Sequence, residues 1–451
     1  MNQPRDPEAR LAAWLEEGPT SGPDEGVSNV QARVRSTRQR PEWLVTLKGG
    51  TMETTWRARP VLTARLAFIL LISLLVLALT AGTVVVGGQL IRLMGPSNEL
   101  PAAAVLPPTA CPAGTVLKSG DIATIAGTGV QGHSGDGGPA IAATISTQYS
   151  GGLAVDATGA IFLSDTGNHV IRRIGLDGVI TQVAGTGVAG FSGDGGPASA
   201  AALTSPAGLL FDAAGDLIFV DSGRIREIDT AGTITTIAGT GTTIASSGNE
   251  GPATAAAINA GQIGIGHDGS LYIDDTNNFR RIGPDGIIHA FAGTGVAGYS
   301  GDGGPALDAQ FGEVNGEAVD ANGDVFLGDA GGHRVRKVDP AGIITTFAGT
   351  GEDGYSGDAG PAVAATLGYP GSLVVSSAGD LYVSDWTHGV VRKVGTDGIM
   401  TTVAGTGSAG SLGDCGPART ASLSFGTSLA LHDGVLYIMD SNDYRVRMIV
   451  P

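Results

Sequence analysis

The sequence predicts an all-β protein: a six-bladed β-propeller of four-stranded blades, preceded by one transmembrane α-helix and a short N-terminal tail. Three observations lead there. Ala-Gly-Thr-Gly begins at Ala126, Ala184, Ala238, Ala292, Ala348 and Ala404, at spacings of 58, 54, 54, 56 and 56 residues, and self-similarity at such a period marks a repeat architecture. Glycine supplies 74 of the 451 residues and aromatic side chains only 5%, so short strands joined by tight Asp-Gly and Gly-Asp turns are favoured over long helices. The run from Leu66 to Ile91 holds no charged residue, and roughly 20 apolar residues in a helix suffice to cross the hydrocarbon core.

Residues 1 to 60 are expected to be a cytoplasmic tail with short helices. Asp6-Pro7 caps a first helix whose apolar face is Leu11, Trp14 and Leu15, and Gly18-Pro19 stops it. The cluster Arg33, Arg35, Arg38 and Arg40 suits anionic lipid or a docking partner. The transmembrane helix is placed in residues 61 to 94, anchored through 66 to 91. Arg57, Arg59 and Arg65 precede it against Arg92 alone behind it, which puts the N-terminus in the cytoplasm and the array outside. The chain is thereby expected at the cell membrane as a single-pass protein. Residues 95 to 115, with Pro96, Pro101, Pro107, Pro108 and Pro112, read as a semi-rigid stalk.

Residues 116 to 451 form the array. In the fifth unit, Ser-Leu-Val-Val-Ser, Leu-Tyr-Val-Ser-Asp, Val-Val-Arg-Lys-Val and Ile-Met-Thr-Thr-Val are four strands separated by Gly- and Asp-containing turns. The last unit stops at Pro451 after three strands, and the missing one stands at the other end, in residues 120 to 125, ahead of the first Ala-Gly-Thr-Gly. Exchange of that strand closes six blades into a ring with no half-blade edge exposed.

Charge is uneven. Residues 96 to 451 carry 15 Lys or Arg against 35 Asp or Glu, which disfavours a phosphate backbone as partner and hence nucleic acid.

The first unit reads Asp165-Thr166-Gly167-Asn168-His169-Val170-Ile171-Arg172-Arg173-Ile174, which resembles the NHL repeat, named for its Asn-His-Leu signature. The long AGTG and GDGGPA connection resembles the variant in NHL propellers of teneurins and of many bacterial cell-surface proteins. The resemblance covers residues 116 to 451. It implies the fold and leaves function open, since NHL and related propellers include lyases, lactonases, RNA binders and extracellular sensor domains of kinases. The Asn-His pair is kept only in the first unit.

Two positions hold in all six units. Asp165, Asp221, Asp275, Asp329, Asp385 and Asp440 end strand two, and Arg172, Arg226, Arg280, Arg336, Arg392 and Arg447 lie on strand three. Residues repeated six times are read as a structural clamp within each blade, because catalysis needs a residue once. The GDGGPA loops carry Asp136, Asp194, Asp302, Asp358 and Asp414. One carboxylate among glycines makes a weak cation loop and a good turn cap.

Function is sought where the units differ. The segments entering strand one are expected to open onto the central channel, and Gln148, Tyr149, Gln262, Glu313, Asn315, Glu317 and Tyr369 are the ligand-binding candidates there. His267 and His432, at the end of strand one, read as turn residues. No catalytic residue and no metal ligand is singled out, and no cofactor is predicted. A divalent cation in the central channel, near Glu313 and Glu317, belongs to the enzyme alternative. Cys111 precedes the closing strand and Cys415 lies in the connection leading into the blade that strand completes. A Cys111 to Cys415 disulfide is therefore predicted to staple the closure. The resulting expectation is a membrane-anchored extracytoplasmic binding or interaction module for an extracellular protein or a small ligand. The alternatives are a metal-dependent lyase or lactonase and a sensor domain of a signalling system.

Overall fold

The computed structural model describes residues 83–86, 89–92 and 109–451, except 148–150, 244–245 and 425. The chain divides into two compact units, Met1–Pro96 and Ser97–Pro451. The expected tail helices and most of the expected stalk lie outside the described residues.

In the first unit the membrane-anchor expectation is overturned. Thr83–Val86 and Gln89–Arg92 are antiparallel strands, with Val86 opposite Gln89 and Thr83 opposite Arg92. Among the described residues no helix is long and apolar enough to cross a membrane. The local chemistry explains the hairpin. Thr83, Val84, Val85 and Val86 are β-branched, a class that loses χ1 freedom in a helix and packs well on a pleated strand. Gly87-Gly88 then separates the two runs, as two-residue hairpin connections require. Hydropathy summed over the window concealed this change of period. The anchor through 66–91, the single-pass topology with a cytoplasmic N-terminus and the membrane as partner are withdrawn with the helix; residues 66–82 lie outside the described residues.

The second unit is a six-bladed propeller. Blade one is built from Leu153–Val155, Ile161–Asp165, Val170–Ile174 and Ile180–Ala184, in that spatial order and all antiparallel. The pattern repeats in blade two (Pro206–Phe211 to Thr233–Ala238), blade three (Ile263–Ile265 to Ile287–Ala292), blade four (Val314–Val319 to Ile344–Ala348) and blade five (Pro370–Val375 to Met400–Ala404). Strand one lines the channel, and strand four lies outermost.

Blade six closes the ring by strand exchange. Its first three strands are Gly426–His432, Val435–Asp440 and Arg445–Ile449, and its outer strand is Asp121–Ala126, with Met448 opposite Ala123. Each GDGGPA loop runs along the outer edge of the blade it leads into. In blade two, Gly196–Pro197 pairs with Thr233 and Ile234 of the outer strand, and in blade six Gly416–Pro417 pairs with Asp121 and Ile122. The Pro-Ala that follows opens a single 3-10 turn in each unit, from Ala140–Ala142 to Ala418–Thr420. An otherwise bare strand edge is thereby covered.

Cys111 and Cys415 are disulfide-bonded, with Cα atoms 5.7 Å apart. The bridge ties the segment before the closing strand to the loop that covers it, and the Cys415 N–H donates to the Ile122 carbonyl at 2.7 Å. Cys415 has φ +67°, at the loop position where Gly137, Gly195 and Gly303 have φ near +80°. A side chain in this left-handed conformation costs about 1–2 kcal/mol. The cross-link offsets that cost by joining residues 304 apart in sequence.

Between blades, strand faces pack through small and aliphatic side chains. Ala154, Ile171 and Ala184 of blade one meet Leu209, Leu217 and Phe219 of blade two across Ala198, Ala201 and Leu203 of the connecting loop, all buried. Such burial contributes roughly 25 cal/mol per Å² of apolar surface. Edge-to-face pairs such as Phe162–Phe211 and Phe279–Phe311 fill the wider gaps.

Candidate functional site

Two motifs that look separate in the sequence meet in the fold. The guanidinium of Arg172, fully buried, donates to the Asp136 carboxylate of the GDGGPA loop at 2.9 Å, to the carbonyls of Thr144 and Ser134, and to Asp165 at 3.4 Å. Asp165 in turn accepts the Ser146 N–H at 2.6 Å. The same loop-carboxylate contact joins Arg226 to Asp194, Arg336 to Asp302, Arg392 to Asp358 and Arg447 to Asp414, at 2.6 to 3.0 Å. Ion pairs to the strand-two carboxylate join Arg226 to Asp221, Arg280 to Asp275 and Arg447 to Asp440. In blade three Asn249 stands in for the loop carboxylate and accepts from the Arg280 Nε at 2.8 Å.

Each arginine therefore fastens a loop to its blade, beside the strand-two turn that Asp329 and Asp385 also serve through backbone N–H groups. Burial raises the carboxyls of Asp440 to about 7 and Asp329 to about 6, against the opposing pull of Arg447 and Arg336. The geometry is one of anchoring, with the arginines shut away from solvent.

The channel is organised differently. Strand one of every blade contributes to a central cavity of about 290 Å³. The strand-one residue paired with the residue two before the strand-two aspartate is Leu153, Ile263, Leu373 and Leu429 in blades one, three, five and six, and in blade two, where the register shifts between Ile218 and Val220, Leu209 holds the corresponding place in the repeat. In blade four it is Glu317, opposite Leu327. This carboxylate is 5% exposed, and neither of its oxygens has a hydrogen-bond partner. Burial and then the neighbouring charge of Asp274 hold its carboxyl well above the ordinary range; the Gly264 N–H favours the anion without completing a hydrogen bond. Gly264 is required here by close approach, since a Cβ would lie 2.8 Å from the Glu317 Cγ.

Above this cavity, between blades three, four and five, lies a second of about 410 Å³ lined by Asn259, Gln262, Asp274, Glu313, Asn315, Tyr369 and Trp386 among others. Gln262 lines both. Asp274 is 6% exposed and accepts the N–H groups of Gly261 at 2.7 Å and Gln262 at 3.0 Å. Burial pushes its carboxyl up to about 7 despite those two donors. The Tyr369 ring stacks on Trp386 with centroids 5.3 Å apart and planes at 14°. Burial, followed by interaction with Glu313, raises the pKa of its hydroxyl far above the usual phenol range, against the opposing pull of Asn315. None of the described residues lining either cavity is Lys, Arg or His.

Of the seven channel candidates, Gln262, Glu313, Asn315 and Tyr369 share one cavity, Glu317 sits deeper in the central one, and Gln148 and Tyr149 lie outside the described residues. His267 lines a different cavity, between blades two and three, and His432 is 3.6 Å from Asp433. Among the described residues no group of three or more His, Cys, Asp or Glu is disposed to hold a metal ion. Sequence reasoning missed Asp274 and Trp386. A signal was present: the residue before the repeated strand-two aspartate is Ser164, Val220, Gly328, Ser384 and Met439 elsewhere, and acidic only in unit three.

The Teneurin NHL domain family matches residues 189–257. Teneurin-4 of Mus musculus is 31% identical over 280 residues, covering 52% of this chain and 10% of the relative; the chain thus spans about a tenth of the length of that curated relative. A structural-genomics protein of unknown function from Bacteroides thetaiotaomicron has a TM-score of 0.54 at 18% identity, covering 73% of this chain and 75% of the other. An auxiliary nutrient binding protein from Bacteroides ovatus has a TM-score of 0.52 at 16% identity, covering 73% and 76%. Together these findings assign a β-propeller fold distantly related to NHL and teneurin propellers.

Proposed function

We propose that the propeller is a binding module for a small polar ligand seated in the cavity between blades three, four and five, and that its blades are NHL repeats of the teneurin and bacterial cell-surface type. The carrying observation is that side chains peculiar to single blades, namely Gln262, Asp274, Glu313 and Asn315, converge with Tyr369 on one cavity. Pockets with a few convergent polar groups and an aromatic wall are where small ligands bind. The repeat reading is supported by the Teneurin NHL domain match and the recurring AGTG and GDGGPA segments. The auxiliary nutrient binding protein from Bacteroides ovatus has a similar fold, which agrees with the binding reading while lending it fold-level support alone.

The test is a panel of small polar compounds titrated into the full chain while tryptophan fluorescence is followed. Binders should quench emission, and Tyr369→Ala should weaken them tenfold or more. A binder indifferent to both Tyr369→Ala and Asn315→Ala would move the site elsewhere.

A second reading is turnover in the same cavity, of the lyase or lactonase kind. The observation favouring it is Asp274, whose proton equilibrium near neutrality suits proton transfer. Product release from a lactone panel that is lost in Asp274→Asn, with ligand binding retained, would establish it over simple binding.

A further inference from the structure

The proposed binding site carries an unsatisfied chemical demand, and the ligand class follows from it. Three carboxylates, Glu313, Asp274 and Glu317, line the two cavities that Gln262 joins, with no basic side chain among the described lining residues. An anionic ligand would bring a further negative charge into a poorly screened acidic site that offers it no cation. A neutral ligand brings donors without a compensating charge, and both oxygens of Glu317 already lack partners at 5% exposure, a state that is costly in any folded protein. An inorganic divalent cation wants six or more convergent oxygens, and no three-residue group of metal-binding side chains exists among the described residues. An ammonium group brings a compensating charge and several N–H donors. The stacked Tyr369 and Trp386 rings add the aromatic surface on which organic cations bind well.

Resting on the small-ligand reading above, we propose that this site takes an organic ammonium ion. Its charged head points down the channel toward Glu317 and Asp274, and its carbon frame lies beside Tyr369 and Trp386 under the rim carboxylate of Glu313. Glu317 is the selectivity element. It replaces a leucine or isoleucine of the five other blades, and on releasing its proton to solvent it gains, as a carboxylate in the complex, the charge-assisted hydrogen bonds that the buried carboxyl lacks in the free protein.

The experiment is an isothermal titration of the full chain at pH 8 with a matched series: phenethylammonium, neutral 2-phenylethanol and anionic 3-phenylpropionate, with calcium chloride as a fourth arm. The expected result is saturable binding of the cation, at least tenfold weaker binding of the alcohol and none of the carboxylate. Glu317→Gln and Asp274→Asn should each weaken the cation tenfold or more and leave the alcohol unchanged. Both variants nearly keep side-chain volume, and an unchanged circular dichroism spectrum and thermal midpoint at or above wild type show that they fold. Equal or tighter binding of the alcohol or the carboxylate, lost in Tyr369→Ala, overturns the ammonium proposal and leaves the small-ligand site standing. Calcium binding that Glu317→Gln abolishes, without ammonium binding, overturns it in favour of a metal. Cation affinity untouched by Glu317→Gln overturns it as well, and if that affinity is also untouched by Tyr369→Ala, the small-ligand site at this cavity falls too.

Discussion

At the outer connections the six blades solve one problem in one way. Arg172, Arg226, Arg280, Arg336, Arg392 and Arg447 are buried to the same degree and hold the same loop, by aspartate in five blades and by Asn249 in the third. Around the channel the blades disagree. Blade four puts Glu317 where the others have Leu or Ile, blade three puts Asp274 where others have Ser, Val, Gly or Met, and blade five contributes Tyr369 and Trp386. The contrast separates two uses of charge. A carboxylate recurring with a bonded arginine belongs to the architecture, whereas one that occurs once, buried and unpartnered, is stability given up for a purpose.

The sharpest challenge to the periphery is its closure. Replacing Cys111 and Cys415 by serine frees a loop of 304 residues, for which the chain-entropy relation gives a loss of about 5–6 kcal/mol. Chemical denaturation with and without reductant measures this, and a midpoint unchanged by reduction would show that strand exchange alone holds the ring.

Next in size are the clamps. Arg336→Met should cost about 3–5 kcal/mol, because it leaves Asp302 and Asp329 buried or half-buried without their cation. Arg172→Met should cost a similar amount, since the periphery treats the blades alike. A difference of several kcal/mol between the two in urea melts would break the equivalence.

In the channel the sign reverses. Glu317→Leu restores the residue type of the other blades and should raise stability by about 1–4 kcal/mol, read as a higher thermal midpoint, while ligand binding is lost. The pH profile sharpens this. Asp274 and Asp440 are raised to about 7 and Asp329 to about 6 in the folded state, against an unfolded value of about 3.9. Between these values the native protein holds protons that the unfolded chain has released. The associated stability is present in full below about pH 4 and is lost as pH rises through 6 to 7. The thermal midpoint should therefore fall from pH 5 to pH 8, and fall less in Asp274→Asn. A midpoint rising over that interval would contradict the assignment of these carboxyls.

The smallest effect tests the one irregular clamp. Asn249→Asp supplies the carboxylate found in the other loops and should strengthen the bond from the Arg280 Nε, now 2.8 Å to an amide oxygen. A gain of about 0.5–1 kcal/mol is expected from the charge-assisted bond, measured in the same urea melts.

Local sequence determined the parts that depend on period and on neighbours along the chain. Six AGTG segments and the alternation within units such as Leu381–Asp385 established the blade count and strand type. The orphan strand near residue 121 and the two cysteines established the closure and its staple. The same local reasoning failed at Thr83–Val86, where mean hydropathy spoke for a helix while β-branching and the Gly87-Gly88 break spoke for a hairpin. Three of the channel candidates, Gln262, Glu313 and Asn315, were legible because each departs from its repeat neighbours, and Tyr369 because its segment enters strand one.

What only the tertiary structure decided is who meets whom across blades. Asp136 reaches Arg172 over 36 residues, and the charge of Asp274 of blade three bears on Glu317 of blade four. Burial made the difference in both cases. The first carboxylate finds a guanidinium when the loop folds over the blade edge. The second has only backbone donors and a like charge beside it, because packing six strands around an axis forces their inward side chains together whatever their charge.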